Sequence, residues 1–90
     1  MTKEEAKRII KAFGPCTQTY ECMTPDDLCE MYPAYDATEV AQVELDCEDI
    51  RRDLEFGFMS DAERDPAVEE WREQKREIRD RLRAEGFEVN

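Results

Sequence analysis

Read for its apolar positions, the chain divides into four stretches of helical spacing separated by punctuation. Thr2-Lys3-Glu4-Glu5 is a capping box, and Ala6, Ile9, Ile10 and Phe13 follow at the spacing of one helical face. Gly14-Pro15 ends this first helix. Thr24-Pro25-Asp26-Asp27 opens a second: Thr24 supplies the cap, Pro25 suits the first helical position, and the two acids suit the positive end of the helix dipole. Leu28, Met31 and Tyr32 line it, and Pro33 stops it. Between these two, Cys16 to Met23 has no clean period and reads as a loop, with a short strand as the lesser option.

Asp36-Ala37-Thr38-Glu39 opens a third helix, capped by Asp36 or Thr38. Val40, Val43, Cys47, Ile50 and Leu54 then fall at intervals of 3, 4, 3 and 4, the spacing of a coiled-coil seam. Gly57 closes this helix, and Phe56, Phe58 and Met59 are expected to plug the end of the core. Ser60-Asp61-Ala62-Glu63 and Asp65-Pro66 compete to start the last helix, and Pro66 fits a first position better than an interior one. Val68, Trp71, Lys75, Ile78 and Leu82 repeat the intervals of the third helix; Gly86 is the natural stop, with Phe87 folded back on the last turn.

The pattern predicts an all-α fold in one acidic domain, residues 1–90. Two short N-terminal helices (2–13 and 25–32) pack on a long antiparallel helical hairpin (37–56 and 66–85) in a small helical bundle. In that hairpin Leu54 faces Val68, Ile50 faces Trp71, Cys47 faces Lys75, Val43 faces Ile78 and Val40 faces Leu82, while Ile9, Ile10, Phe13, Leu28, Met31 and Tyr32 cover the seam. The same wheel puts Leu45 almost opposite the seam, exposed among Glu44, Glu48 and Asp49. The plainer reading of Leu45 is a lone surface leucine; the sharper one is an apolar anchor within an acidic face.

Charge is the most unevenly distributed property of the chain. The formal net charge is −11, and from Ala12 to Ile50 the chain carries ten carboxylates and no lysine, arginine or histidine. All thirteen bases lie outside that block. Such a chain is not expected to bind nucleic acid directly or an anionic membrane, because both ask for cationic surface. No apolar run reaches the ~18 residues of a membrane span, and Met1 to Glu5 lacks the apolar stretch of a signal peptide. The expectation is a cytoplasmic protein whose four cysteines are small apolar thiols.

Little in the sequence carries chemistry. Without histidine there is no Ser-His or Cys-His pair, and the three glycines form no phosphate-binding loop. The cysteine spacings, C-x5-C, C-x6-C and C-x17-C, include no C-x2-C knuckle, so a structural zinc domain is the lesser alternative. Asp26/Asp27 and Asp46/Glu48/Asp49 lie adjacent, but acids are too abundant here for adjacency to mean a metal site. Lys75 at a seam position reads as a stem that covers the seam while its ammonium reaches water; a lysine that activates Cys47 is the lesser reading. Arg72, Arg76, Arg79 and Arg83 make a basic ridge on the last helix, but Glu69, Glu73, Glu77 and Asp80 interleave with it, as on a salt-bridged solvent face. The expectation is a protein with no cofactor and no catalytic residues.

In size, charge and lack of motifs, over the whole chain and above all in its Ala12–Ile50 block, the sequence resembles the small acidic proteins that phages use against bacterial defence, including anti-CRISPR proteins and DNA mimics. The resemblance implies a non-enzymatic inhibitor acting in the host cytoplasm; the chain itself is expected to be a monomer or a homodimer. It would occupy the surface of a basic nucleic-acid-binding protein such as a CRISPR effector. The candidate contacts read from the sequence are Asp26, Asp27, Glu30, Glu44, Glu48 and Asp49 as anions, with Leu45 as apolar anchor. The alternative is a helical adaptor or assembly module, of a phage for example, that binds through the apolar hairpin seam.

Overall fold

The capping signals set the helix starts. In the computed structural model, which describes residues 1–14 and 23–90, α1 spans Lys3–Phe13, α2 Pro25–Met31, α3 Ala37–Gly57 and α4 Asp61–Ala84, with no strand among the described residues. Thr2 Oγ1 accepts from the Glu5 amide at 3.2 Å while the Thr2 amide donates to Glu5 Oε1 at 2.8 Å. Thr24 and Asp27 repeat the exchange at the head of α2, at 3.2 and 3.0 Å. Asp36, rather than Thr38, caps α3: its Oδ1 accepts from the amides of Thr38 and Glu39. Most of the Cys16 to Met23 segment, with Cys16 and Cys22, lies outside the described residues.

The last helix starts earlier than its proline suggests. Ser60 caps α4 and Pro66 lies inside it. A proline there removes one amide donor, the one that would bond the carbonyl of Ala62. Ala62 is exposed, so water can satisfy that oxygen. At the other end the last turn closes as a Schellman motif. The Phe87 amide reaches the Leu82 carbonyl at 2.9 Å and the Gly86 amide reaches Arg83 at 3.0 Å. Gly86 adopts φ 97°, a conformation costly for any residue with a Cβ. Phe87 and Val89 are both buried, Arg83 holds the Val89 carbonyl, and the Asn90 amide donates to Gln42 Oε1 at 2.7 Å. The tail thus returns onto the bundle and ties the end of α4 to the start of α3.

α3 and α4 run antiparallel. Arg64 secures the turn between them: Nε donates to the Phe56 carbonyl and Nη2 to the Met59 carbonyl, both at 2.9 Å, while Nη1 pairs with Asp61 at 3.1 Å. The Phe56 carbonyl also accepts from the Met59 amide at 3.2 Å, so the guanidinium braces a turn that the backbone has already begun to close. α1 packs against the other three helices. α2 packs chiefly on α1 and reaches α3 through Tyr32. The core joins Ala6, Ile9 and Phe13 of α1, Leu28 of α2, Val40, Ala41, Leu45 and Phe56 of α3, and Trp71, Ile78 and Leu82 of α4.

The face that α3 buries differs from the expected seam. Ala37, Val40, Ala41, Glu44, Leu45, Glu48 and Phe56 are buried, whereas Val43, Cys47, Ile50 and Leu54 are exposed. Only Val40 of the expected stripe lies in the core. Leu45, expected on the surface, is fully enclosed. Phe58 does not plug the core but stands 93% exposed, and Met31 is exposed rather than packed. The apolar stripe of α4 is inward as expected at Trp71, Ile78 and Leu82.

Two features explain the rotation. Ala37 and Ala41 give α3 a small-residue strip that lets the rest of the bundle approach closely, which the Val43 to Leu54 stripe cannot offer. The α4 stripe also contains Trp71 and Lys75, whose N–H groups need acceptors when covered. The inward face of α3 supplies one in Asp49; the alternative face offers only Val43, Cys47, Ile50 and Leu54 at that level.

Candidate interaction surface

The carboxylates expected to form an anionic patch on α3 are largely spent inside the bundle. Glu44 is buried and accepts a 2.5 Å bond from the Tyr32 hydroxyl. Burial, with that bond, holds the Tyr32 phenol well above its usual range. Glu48 is buried between Arg51 Nη1 at 3.0 Å and Arg52 Nε at 3.3 Å. Asp49 accepts from Trp71 Nε1 on one oxygen and from Lys75 Nζ on the other, both at 2.9 Å. The Trp71 bond, then Lys75, lowers the Asp49 carboxyl below its ordinary range. Arg52 stacks over the Trp71 ring at 5.0 Å and completes the cluster.

Lys75 therefore serves Asp49, and Cys47, exposed on the other side of α3, is not its partner. Cys29 is half-buried, so neither described thiol is the buried apolar group expected. Asp26, Asp27 and Glu30 on α2 are exposed as read from the sequence. Asp26 pairs with Lys3 at 3.1 Å, and Asp27 is occupied as the reciprocal cap of α2, its carboxyl lowered by the bond from the Thr24 amide. The structure thus does not gather the seven candidates into one surface. Glu44, Leu45 and Glu48 point inward, Asp49 bridges the two long helices, and the three acids of α2 stand apart.

What the structure does gather is apolar. At 3.6 residues per turn, Ile50 and Leu54 lie roughly opposite Leu45 and Arg52 on α3. Ile50 is 62% exposed and Leu54 64%, with Val43 and Cys47 beside them and Phe58 following at the cap. Single exposed apolar residues are ordinary; a continuous stripe along two turns or more of one helix is not. Asp46 and Asp53 line one flank of the stripe and Arg51 the other, all three exposed. The edge toward α2 is bordered by Tyr32, whose ring meets Tyr35 edge-on at 5.9 Å.

Chemistry elsewhere is sparse. A shallow cleft of about 320 Å³ between α1 and α4 is lined by Lys11, Ala12, Arg81, Ala84 and Glu85. Lys11 and Glu85 face each other in it at 3.6 Å, an exposed ion pair worth little on its own. Among the described residues no cluster of cysteines and carboxylates is arranged to hold a metal ion, and no helix is long and apolar enough to cross a membrane. No family model, curated protein or solved structure matches the chain.

The sequence named the residues of this stripe but assigned them to the interior. The missed signal is that α3 carries apolar residues on two opposite sides, Ala41, Leu45 and Phe56 on one and Val40, Val43, Cys47, Ile50 and Leu54 on the other, where only the Val40 end is covered. One packed neighbour covers only one of them. Val89 was missed as well; the apolar–polar alternation of Phe87-Glu88-Val89-Asn90 would have marked an extended tail with one face inward.

Proposed function

We propose that this protein is a non-enzymatic binding module that docks other protein surfaces through the outer face of α3. One observation carries the reading: α3 is apolar on two opposite sides, and the outer one is left exposed from Val43 to Leu54. In this reading α1 and α2 form the layer that holds the α3–α4 hairpin rigid, and a rigid helix docks without the entropy cost of ordering it. A partner for this face presents an apolar helical ridge with polar flanks, the helix-against-helix mode of recognition. The site is reached in the cytoplasm, where Cys47 stays a thiol.

The test compares the full chain with a chain bearing Ile50→Lys and Leu54→Lys, each immobilised and exposed to bacterial lysate. Proteins retained on the wild-type chain at about 1 M salt, where exposed charges are screened within ~3 Å, are expected to be lost from the variant. The same proteins retained on both chains would refute the reading.

A second reading, an acidic inhibitor of a basic nucleic-acid-binding protein, keeps support from the exposed acids of α2 and the charge of −11. It no longer draws on Glu44 or Glu48. It predicts partners that elute between low and moderate salt and depend on Asp26, Asp27 and Glu30.

A further inference from the structure

We propose that the outer face of α3 pairs with the same face of a second copy of this chain, parallel and in register. Val43, Cys47, Ile50 and Leu54 each then meet their own counterpart, and Asp46 of each copy pairs with Arg51 of the other. The proposal rests on the reading of that face as a docking surface and names its first occupant.

The spacing provides the shape. Val43, Cys47, Ile50 and Leu54 follow one another at intervals of 4, 3 and 4, the repeat at which two helices interlock side chains along a common seam. A stripe with that repeat is complementary to itself. α1 and α4 pack against the inner side of α3, so among the described residues the outer side from Val43 to Leu54 is clear for a second helix. The helix is already built by the fold, which removes the nucleation cost that makes short isolated coiled coils marginal.

Charge provides the direction. Asp46 and Asp53 stand on one flank of the stripe and Arg51 on the other. In a parallel pair each flank faces the opposite flank of the mate, five residues further along, so Asp46 meets Arg51 and the pair forms twice. In an antiparallel pair each flank faces its own kind, and Asp46 and Asp53 of the two copies would crowd together. Arg51 already holds Glu48 at 3.0 Å, yet its side chain is 48% exposed and a guanidinium carries five donors in a planar fork. Phe58, on the same side as Arg51, extends the apolar cover past Leu54.

Size sets the strength. Five side chains on one helix offer less than the ~800 Å² per partner of a standard interface. The dimer is therefore one that dissociates on dilution.

Sedimentation equilibrium on the full chain with reductant, from about 1 µM to about 1 mM, is expected to show the mass rise from one chain to two. The chain with Ile50→Lys and Leu54→Lys, both at exposed positions, is expected to keep the wild-type circular dichroism. Its dissociation constant is expected to rise at least ~100-fold. A wild-type chain that is monomeric throughout overturns the self-pairing and leaves the docking reading to its lysate test. A dimer that the lysine variant leaves intact likewise overturns the self-pairing through this face, and the docking reading again stands or falls by its lysate test.

Direction is read separately. Diamide takes one hydrogen from each of two thiols, is itself reduced to the hydrazine, and leaves a disulfide. In the parallel register it is expected to link Cys47 to Cys47, identified by peptide mass spectrometry, and the lysine variant is expected to lose that link. A chain that sediments as a dimer and forms no Cys47–Cys47 bond overturns the parallel register. Asp46→Arg and Arg51→Asp are each expected to weaken the dimer roughly tenfold, and the two together to restore it. Losses that simply add overturn the Asp46–Arg51 pairing.

Discussion

The two faces of α3 differ in composition, and their uses are the reverse of what that composition suggests. The inner face mixes Ala41 and Leu45 with Glu44, Glu48 and Asp49; the outer carries Val43, Ile50 and Leu54 with hardly a polar interruption. By hydrophobicity alone the outer face belongs in the core. The fold selects the other because complementarity outweighs apolar content: Trp71 and Lys75 find Asp49, Arg52 finds both Glu48 and the Trp71 ring, and Tyr32 finds Glu44. Leaving such groups buried without partners costs about 1–3 kcal/mol each, comparable to the gain from burying one leucine or isoleucine. Inward polar residues that are paired one by one can therefore fix the rotation of a helix against its apolar preference.

The contrast is open to breakage, and the largest effect is expected at Leu45. Leu45→Ala empties a fully enclosed site and is expected to destabilise the domain by about 2–5 kcal/mol in urea denaturation. A surface leucine would show almost nothing. Next comes the polar pairing of the inner face. Asp49→Ala strands the indole N–H and the Lys75 ammonium, with an expected loss of about 1–3 kcal/mol.

Asp49 also carries a pH signature. Its folded pKa lies below the ordinary ~3.9, so its contribution is complete above that value and is lost as pH falls through it toward the lower folded value. Asp49→Asn is expected to remove that part of the acid dependence. Tyr32 works in the opposite sense. Its folded pKa lies above the usual ~10, so its contribution is present below that value and is lost as pH rises beyond it, and Tyr32→Phe is expected to flatten the alkaline limb.

Smaller again is Gly86→Ala, expected to cost about 1–2 kcal/mol because φ 97° is strained for alanine. The smallest stability effect is expected on the outer face. Ile50→Lys and Leu54→Lys together are expected to move the urea midpoint by about 0.5 kcal/mol or less at concentrations where the chain is monomeric. A large loss there would mean that the stripe is part of the core after all, and the comparison would fall.

The parts of the fold legible in the sequence are those settled by neighbours along the chain. Thr2 with Glu5, Thr24 with Asp27, Asp36 ahead of α3 and Gly86 after α4 act as their residue types dictate. The inward stripe of α4 was legible too, because that helix has a single apolar side. Its partner was not: Trp71 meets Asp49 and Arg52, while the Ile50 expected across from it faces outward. The rotation of α3 was not legible, since two apolar stripes satisfy the same helical period and the choice depends on groups in α2 and α4. The carboxylates were illegible for a related reason. Their abundance suggested a patch, while their roles depend on which base or hydroxyl the tertiary structure brings near. Asp27 is a cap, Glu44 an acceptor and Glu48 a clamp between two arginines.

Arg64 has a consequence for the order of assembly. Its three partners, Phe56, Met59 and Asp61, all lie within eight residues, so the corner between α3 and α4 closes through local contacts alone. Local closure is fast relative to bringing α1 across the chain to Glu85, where Arg8 binds the carbonyl at 2.7 Å. The long helices would thus meet first, with their rotation set by Trp71 and Asp49, and α1 would seal a register it did not choose.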